Sequence, residues 1–97
     1  MKKITWSNEA EYDYIENIEY LLRRWSVPVA EEFIQKTDEI IDNLKTELVS
    51  YPSAKYKGIH KCVVCKQITL FYKEKNKFEI ELIRFWNTYK DEERLKL

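Results

Sequence analysis

Apolar residues recur every three or four positions through the first half of the chain, which is the spacing of one face of a helix. Ser7 and Asn8 favour a helix N-cap, and Asn8 with Glu11 fits a capping box. A first helix is therefore predicted from here to about Arg24, with its acidic side chains facing solvent. Its apolar stripe comprises Ala10, Tyr14, Ile18, Leu21, Leu22 and Trp25.

A second stripe follows a short break at Ser26-Val27-Pro28, where proline is tolerated because it falls in the first helical turn. This helix is predicted to end near Tyr51-Pro52, since the residue before a proline avoids the α region. The short connection predicts that the two helices pack as an antiparallel hairpin. The stripe positions are Ala30, Phe33, Ile34, Thr37, Ile40, Ile41, Leu44 and Leu48.

The other segments favour strands, because β-branched and aromatic residues are concentrated in short runs separated by turn-forming residues. The element order is then β-α-α-β-β-β, with a charged C-terminal segment that permits a short helix over residues 91–95. We expect one α+β domain over residues 1–97, with the helical hairpin on one face of a small antiparallel sheet. The predicted strands are Lys2–Trp6, Ile59–Cys65, Ile68–Lys73 and Phe78–Trp86.

The pattern of the last predicted strand changes half way along it. Apolar and acidic residues alternate as far as Leu82, but Ile83 and Phe85 are both apolar where the acidic face should continue. Apolar residues on an open sheet face favour a partner or a ligand groove, so Ile83, Phe85 and Trp86 are candidate partner-binding residues. The alternative is that the chain's own C-terminal segment covers this end of the sheet.

The formal net charge of zero conceals an uneven distribution. Residues 8–48 carry eleven Asp and Glu against four Lys and Arg, whereas residues 50–97 carry eleven Lys and Arg against six Asp and Glu. The basic half is a candidate surface for a polyanion, and the alternative is a solvated lysine-rich face. The candidate nucleic-acid contacts are Lys55, Lys57, Lys66 and Lys73.

Several classes of protein are disfavoured by composition. No apolar run approaches the length of a membrane span, and the N-terminus has no apolar core of a signal peptide, so a cytoplasmic protein is expected. The spacing of Cys62 and Cys65 is found in metal and redox sites, but residues three apart on a strand face opposite ways. We therefore expect neither a metal site nor redox chemistry here, and no cofactor.

The chain resembles the RelE/ParE superfamily of bacterial type II toxin–antitoxin systems over nearly its whole length. The resemblance rests on short sequence motifs that occur in a fixed order and at fixed spacings. They are Trp6-Ser7-x-x-Ala10, Ala30-x-x-Phe33, Ile40-x-x-x-Leu44, Pro52, Gly58-Ile59-x-Lys61-x-Val63-Val64, Leu70-Phe71-Tyr72, Ile80-x-x-Ile83 and Phe85-Trp86-x-x-x-x-Asp91.

This resemblance implies a growth-inhibiting toxin that a cognate antitoxin neutralises. Some members of the superfamily cleave mRNA on the ribosome, whereas others poison DNA gyrase, and the shared fold does not choose between them. We expect mRNA cleavage. A gyrase poison, a non-catalytic antitoxin-binding protein and a homodimer stay open as alternatives.

Cleavage of RNA through its 2′-hydroxyl needs a base, cations around the phosphorane and an acid for the leaving oxygen. The resemblance implies that these groups come from basic residues on the sheet and from the end of the last strand. Related toxins often have His and Arg where this chain has Asn87, Tyr89 and Lys90, which disfavours His-type catalysis at that place. The candidate catalytic residues are His60, Lys61, Arg84, Tyr89 and Lys90.

Overall fold

The structure is a computed structural model that describes residues 1–47, 51–90, 94–95 and 97. The predicted order of elements is confirmed, and two helices pack on one face of a four-stranded sheet with strand order β1-β4-β3-β2. Leu48 and most of the helix predicted over residues 91–95 lie outside the described residues. The elements are β1 (Lys3–Trp6), α1 (Asn8–Arg24), α2 (Val27–Thr46), β2 (His60–Cys65), β3 (Ile68–Asn76) and β4 (Glu79–Asn87).

The sheet is mixed because β1 and β4 run parallel, whereas β2, β3 and β4 form the predicted antiparallel meander. A parallel pair needs a long crossover, and the helical hairpin belongs to the connection between these two strands. The N-terminal strand therefore lies beside the C-terminal strand. This arrangement brings the start of α1 next to β4, which carries the candidate site residues Ile83, Arg84, Phe85 and Trp86.

The helix ends follow local capping chemistry. Ser7 is the N-cap of α1, and its Oγ accepts a hydrogen bond of 3.0 Å from the Ala10 N–H. Asn8 is therefore the first helical residue, and the capping box predicted for Asn8 with Glu11 is wrong. Helix α2 follows the N-cap Ser26 and ends at Thr46, earlier than predicted, before Glu47 in the left-handed conformation (φ 59°).

The helix-side core fills the space between the hairpin and the sheet. Phe85 of β4 meets Phe33 of α2 with ring centroids 6.0 Å apart, and the Tyr14 ring of α1 lies within 5.5 Å of both. These contacts join the two predicted helical stripes to the sheet. The prediction of the first stripe is wrong for two residues, because the side chains of Leu22 and Trp25 are 48% and 46% exposed.

The other face of the sheet, which we call the open face, carries a smaller apolar cluster of Ile59, Phe71, Trp86 and Leu95. Leu95 is buried there although it belongs to the C-terminal segment. The alternative in which the chain's own tail covers this end of the sheet therefore holds for Leu95. Ile83 packs against the same cluster, as the strand pattern predicted.

A β-bulge decides which way the residues of β4 point. Phe71 pairs with Arg84 and Tyr72 pairs with Leu82, so Ile83 is an extra residue on β4. One inserted residue shifts the alternation of the strand, and Phe85 returns to the helix-side core, where it is 1% exposed. The prediction that placed Phe85 on the open face is wrong for this reason.

Candidate functional site

Where β1 ends, side chains at the start of α1 form hydrogen bonds with the backbone of β4. Strand β1 pairs with β4 only as far as Leu82. Beyond it, the Ser7 hydroxyl donates to the Ile83 carbonyl (2.8 Å), and the Phe85 N–H donates to an Asp13 carboxylate oxygen (3.1 Å). The Asn17 amide donates to the Phe85 carbonyl (2.9 Å). Side chains of the helix thus satisfy backbone groups that a neighbouring strand would otherwise pair.

The same carboxylate holds Arg84. The Arg84 guanidinium donates two hydrogen bonds to Asp13, from Nε at 2.6 Å and from Nη2 at 2.9 Å. The hydrogen bonding of Arg84 to the Asp13 carboxylate raises the pKa of Arg84, and desolvation by burial opposes this shift. A bidentate pair of this kind is strong and directional, and it is here largely buried. Arg84 is therefore bound to α1 and also lies over the Trp86 ring, 5.2 Å from its centroid.

The sequence analysis missed Asp13, which it placed among the solvent-facing acids of the helix, and it gave Asn17 no role. A signal for them exists in the chain. Residues 10, 13, 14, 17, 18 and 21 form one continuous helical face, and positions 13 and 17 are its polar members. Asp13 and Asn17 are both buried. Polar residues inside an apolar stripe indicate partners across the core, although they do not identify those partners.

The open face has a groove of about 250 Å³ at the end where β2 and β3 meet in a turn. We call it the Trp86 groove. It brings together two of the predicted catalytic residues, Lys61 and Lys90. Its lining consists of Lys61, Val63, Thr69, Phe71, Trp86, Thr88 and Lys90.

Lys90 connects the groove to helix α1. Its ammonium donates to a Glu16 carboxylate oxygen at 3.0 Å and lies 5.8 Å from the centroid of the Trp86 ring. The hydrogen bonds from Lys90 and then from Tyr12 lower the pKa of Glu16. A carboxylate with a lowered pKa is a weak proton acceptor near neutral pH, so Glu16 fits a charge partner better than a general base. Tyr89 is exposed beside the groove and is not part of its lining.

His60 lies away from the Trp86 groove. Its ring stacks on Tyr72 at 5.2 Å between centroids, and its Nδ1 is 3.0 Å from the Tyr51 carbonyl oxygen. Tyr72 belongs to the helix-side core, whereas Lys61, the next residue along β2, faces the groove. The structure therefore does not bring His60 together with Lys61, Arg84 and Lys90.

The lysines predicted to contact nucleic acid are spread over the surface. Lys73 lies 3.6 Å from a Glu81 carboxylate oxygen, so part of its charge is neutralised within the sheet. Lys57 and Lys73 line a second, wider depression on the open face, together with Arg84. Lys55 lies 5.4 Å from the centroid of the Tyr56 ring, and Lys66 is exposed in the turn between β2 and β3. They do not form one continuous basic patch with Lys61.

The two cysteines are free thiols near the helix-side core. The register of β2 shifts between Val63 and Cys65, and this irregularity turns Cys65 toward the same side as Cys62, against our expectation of opposite sides. Burial raises the pKa of both thiols, which disfavours the reactive thiolate. Within the described ranges, no group of three His, Cys, Asp or Glu side chains is placed to hold a metal ion.

Neither helix, within the part of the chain that the structure describes, is long and apolar enough to cross a membrane.

Residues 4–91 match the family model described as the ParE toxin of the type II toxin–antitoxin system, parDE. No curated protein sequence matches the chain.

Solved structures share the fold at low identity. A chain from the chromosomal ParDE system of P. aeruginosa aligns with a TM-score of 0.72 and 14% identity, over 90% of this chain and 96% of the other. A copper-bound mutant toxin from Helicobacter pylori gives 0.65 and 18%, over 92% and 97%. A chain of the DinJ–YafQ toxin–antitoxin complex from E. coli gives 0.61 and 14%, over 91% and 93%.

Proposed function

The chain belongs to the ParE toxin family of type II toxin–antitoxin systems, within the RelE/ParE superfamily, and we propose that it inhibits growth by binding its target rather than by cleaving RNA. Within that superfamily this is the behaviour of the members that poison DNA gyrase. We therefore propose DNA gyrase as the first target to test. The sequence analysis had favoured mRNA cleavage, and the arrangement of the site is the reason for preferring binding.

One observation supports a binding toxin above all. The lining of the Trp86 groove, as far as the structure describes it, contains cations, hydroxyls and apolar groups but no imidazole and no carboxylate. Cleavage needs a group that takes the 2′-hydroxyl proton near neutral pH. His60 lies on the other side of the sheet, and Arg84 is bound by Asp13. Positioned cations without a proton acceptor are suited to holding a ligand.

A cognate antitoxin is the second part of the proposal. Solved relatives include toxin–antitoxin complexes, and a partner of this kind needs an apolar surface to cover. On this chain the outer side of α1 offers one, because large apolar side chains remain exposed along it and just beyond its end. They are Tyr12, Ile15, Leu22, Trp25 and Val27. We propose that the antitoxin covers this side of α1, instead of the strand-end residues Phe85 and Trp86.

RNA cleavage stays as the second candidate function, because Lys61 and Lys90 share one groove and Tyr89 lies next to it. In this reading the two ammonium groups stabilise the charge on the phosphorane, and Tyr89 acts as the general acid. The reading requires a proton acceptor from the RNA, from the ribosome or from residues of this chain outside the described ranges.

Parallel assays with purified toxin distinguish the two functions. One measures supercoiling and double-strand cleavage by DNA gyrase, and the other measures the integrity of mRNA in the presence of ribosomes. We expect gyrase inhibition with intact mRNA, and cognate antitoxin should reverse it. Cleaved mRNA with unaffected gyrase would refute the binding proposal and support the second candidate.

Matched lysine variants connect the assays to the groove. Lys61→Ala removes a cation from the Trp86 groove, whereas Lys57→Ala removes an exposed lysine from the other depression of the same face. We expect Lys61→Ala to weaken gyrase inhibition about tenfold or more and Lys57→Ala to leave it near the wild-type value. Equal effects of the two substitutions would mean that the groove is not the binding surface.

A further inference from the structure

The backbone that carries Lys90 is fixed by the turn that follows β4. The Thr88 N–H donates to the Gln67 carbonyl (2.7 Å), and the Lys90 N–H donates to the Asn87 carbonyl (3.0 Å). The Tyr89 N–H donates to the side-chain oxygen of Asn87 (2.9 Å), and Asn87 is itself buried. The fold therefore determines where the Lys90 side chain starts. It does not determine where the ammonium lies, because a lysine carries its charge on a long flexible stem.

Glu16 of α1 determines the place of that ammonium. Its carboxylate accepts from the Lys90 ammonium at 3.0 Å, and the ammonium lies 5.8 Å from the centroid of the Trp86 ring. A hydrogen bond from the Tyr12 hydroxyl reaches the same carboxylate, so Glu16 is held by a neighbour on its own helix as well as by Lys90. Of the positions open to the Lys90 side chain, this contact selects one at the wall of the Trp86 groove.

A similar ion pair lies one helical turn earlier on α1, where Asp13 binds Arg84 beside the same Trp86 ring. The two pairs differ in burial. The Arg84 and Asp13 side chains are 18% and 9% exposed. The Lys90 and Glu16 side chains are 46% and 41% exposed, and an ion pair this open to solvent contributes little to the stability of a fold. What the second pair does determine is the location of a positive charge.

That location matters for a ligand of the groove. Lys61 and Lys90 both line it, and Lys61 lies on β2 whereas Lys90 follows β4. Because β3 lies between these two strands, the two lysines reach the groove from its two sides. A cation that is already in place costs a ligand less ordering entropy than a cation that must be immobilised on binding. Holding Lys90 at the groove therefore favours binding.

We propose that Glu16 is a positioning residue of the Trp86 groove, which holds the Lys90 ammonium at the groove wall so that a ligand meets this cation in place together with Lys61. This inference rests on the proposed binding function, because Glu16 acts on the ligand only through Lys90. The competing role is purely electrostatic. In that role the Glu16 carboxylate only reduces the positive potential of the groove, and its reach to Lys90 is irrelevant.

Two substitutions of Glu16 separate reach from charge. Glu16→Asp keeps the charge but shortens the side chain by one methylene, which withdraws the carboxylate from Lys90. Glu16→Gln keeps the length and an acceptor oxygen but removes the charge. We expect Glu16→Asp to weaken gyrase inhibition about threefold, as for loss of a half-exposed ion pair, and Glu16→Gln to have a smaller effect.

Glu19→Asp is the matched control, because it makes the same change at an exposed acid on the same side of α1. This variant should inhibit gyrase as the wild type does. The electrostatic role predicts the opposite order for Glu16, with wild-type inhibition by Glu16→Asp and stronger inhibition by Glu16→Gln. That order would overturn the proposal.

A double-mutant cycle tests whether Glu16 acts through Lys90. Lys90→Ala should itself weaken gyrase inhibition, and in this background Glu16→Asp should have no further effect. A general loss of helix stability would act in both backgrounds. An equal effect of Glu16→Asp with and without Lys90 would therefore overturn the proposal.

The Trp86 indole reports the position of Lys90 without any target. The chain has three tryptophans, so ¹⁵N-labelled protein gives three indole N–H signals, which are assigned through bonds. Lys90→Ala should shift the Trp86 signal, Glu16→Asp should shift it in the same direction, and Glu19→Asp should leave it in place. A Trp86 signal that Glu16→Asp leaves unchanged would overturn the proposal. If the wild type does not inhibit gyrase, the proposed target fails, and these shifts alone decide whether Glu16 holds Lys90.

Discussion

The carboxylate of Asp13 binds the guanidinium of Arg84 through two hydrogen bonds of 2.6 and 2.9 Å, across 71 positions of sequence. A third hydrogen bond reaches the same carboxylate from the backbone of Phe85. Asp13 thus fixes α1 to the part of β4 that follows the bulge. It also holds the Arg84 guanidinium in an ion pair with α1, which is the main difference between this site and the catalytic arrangement that the sequence suggested.

Asp13→Ala should lower the free energy of unfolding by about 3–5 kcal/mol, because it removes the acceptor of two hydrogen bonds from a partly buried guanidinium and of one from a buried backbone N–H. Urea unfolding followed by circular dichroism measures the change. Asp13→Asn keeps an acceptor for one of these donors and should cost less. Glu19→Ala removes an exposed acid from the same helix and should change the value by less than about 0.5 kcal/mol. Similar losses for Asp13→Ala and Glu19→Ala would contradict the role of the pair.

The two helix N-caps should differ in strength. Ser7→Ala removes both the acceptor for the Ala10 N–H and the donor to the Ile83 carbonyl, so we expect a loss of about 2 kcal/mol. Ser26→Ala is the matched control. It removes one exposed hydrogen bond of 3.4 Å, and its cost should stay near 0.5 kcal/mol. The same urea titration measures both, and a larger loss for Ser26→Ala would show that the link from Ser7 to β4 contributes nothing.

The contact between Leu95 and the apolar cluster of the open face should contribute measurably to the stability of the fold. Leu95→Ala removes a buried side chain from contact with the cluster of Ile59, Phe71 and Trp86, and we expect a loss of about 1–3 kcal/mol. Leu97 is 44% exposed, so Leu97→Ala should be nearly neutral. Thermal unfolding of the three proteins measures the difference. If Leu95→Ala unfolds at the wild-type temperature, this contact does not stabilise the fold.

Stability should decline at alkaline pH partly through Tyr72. Burial raises the pKa of Tyr72 from 10.0 to about 12. Between these values the unfolded chain has released the proton and the folded chain has kept it, so the free energy of unfolding falls as pH rises. This contribution is fully present below pH 10 and is lost by about pH 12. Tyr72→Phe should therefore show a decline that is smaller by about 1–2 kcal/mol over this range.

Urea titrations at a series of pH values measure the effect, and Tyr89→Phe, which changes an exposed tyrosine, serves as the control. The free energy of unfolding of Tyr89→Phe should decline with pH in the same way as that of the wild type. Burial also raises the pKa of Tyr51 and Cys62, and their share of the decline is retained in both variants. Parallel curves for the wild type and Tyr72→Phe would contradict the assignment to Tyr72.

Part of the candidate site could be predicted from the sequence. Lys61 was chosen because it lies on a strand of the basic half, and Lys90 because it follows the last strand; the structure brings both to one groove. His60 precedes Lys61 on β2 and therefore faces the opposite side of the sheet, where its ring stacks on Tyr72. Which of the two sides meets the helices depends on how the sheet packs.

The sequence by itself determined the order of the elements, the helical hairpin and most of its buried stripe. These properties follow from the local period of apolar residues and from capping residues, and both act over a few positions. The tertiary structure alone decided that Asp13 and Arg84 meet, that Phe85 turns into the core, and that Trp86 lines a groove. These three features depend on one extra residue in β4 and on contacts between distant segments of the chain. The local spacing of apolar residues contains no information about either.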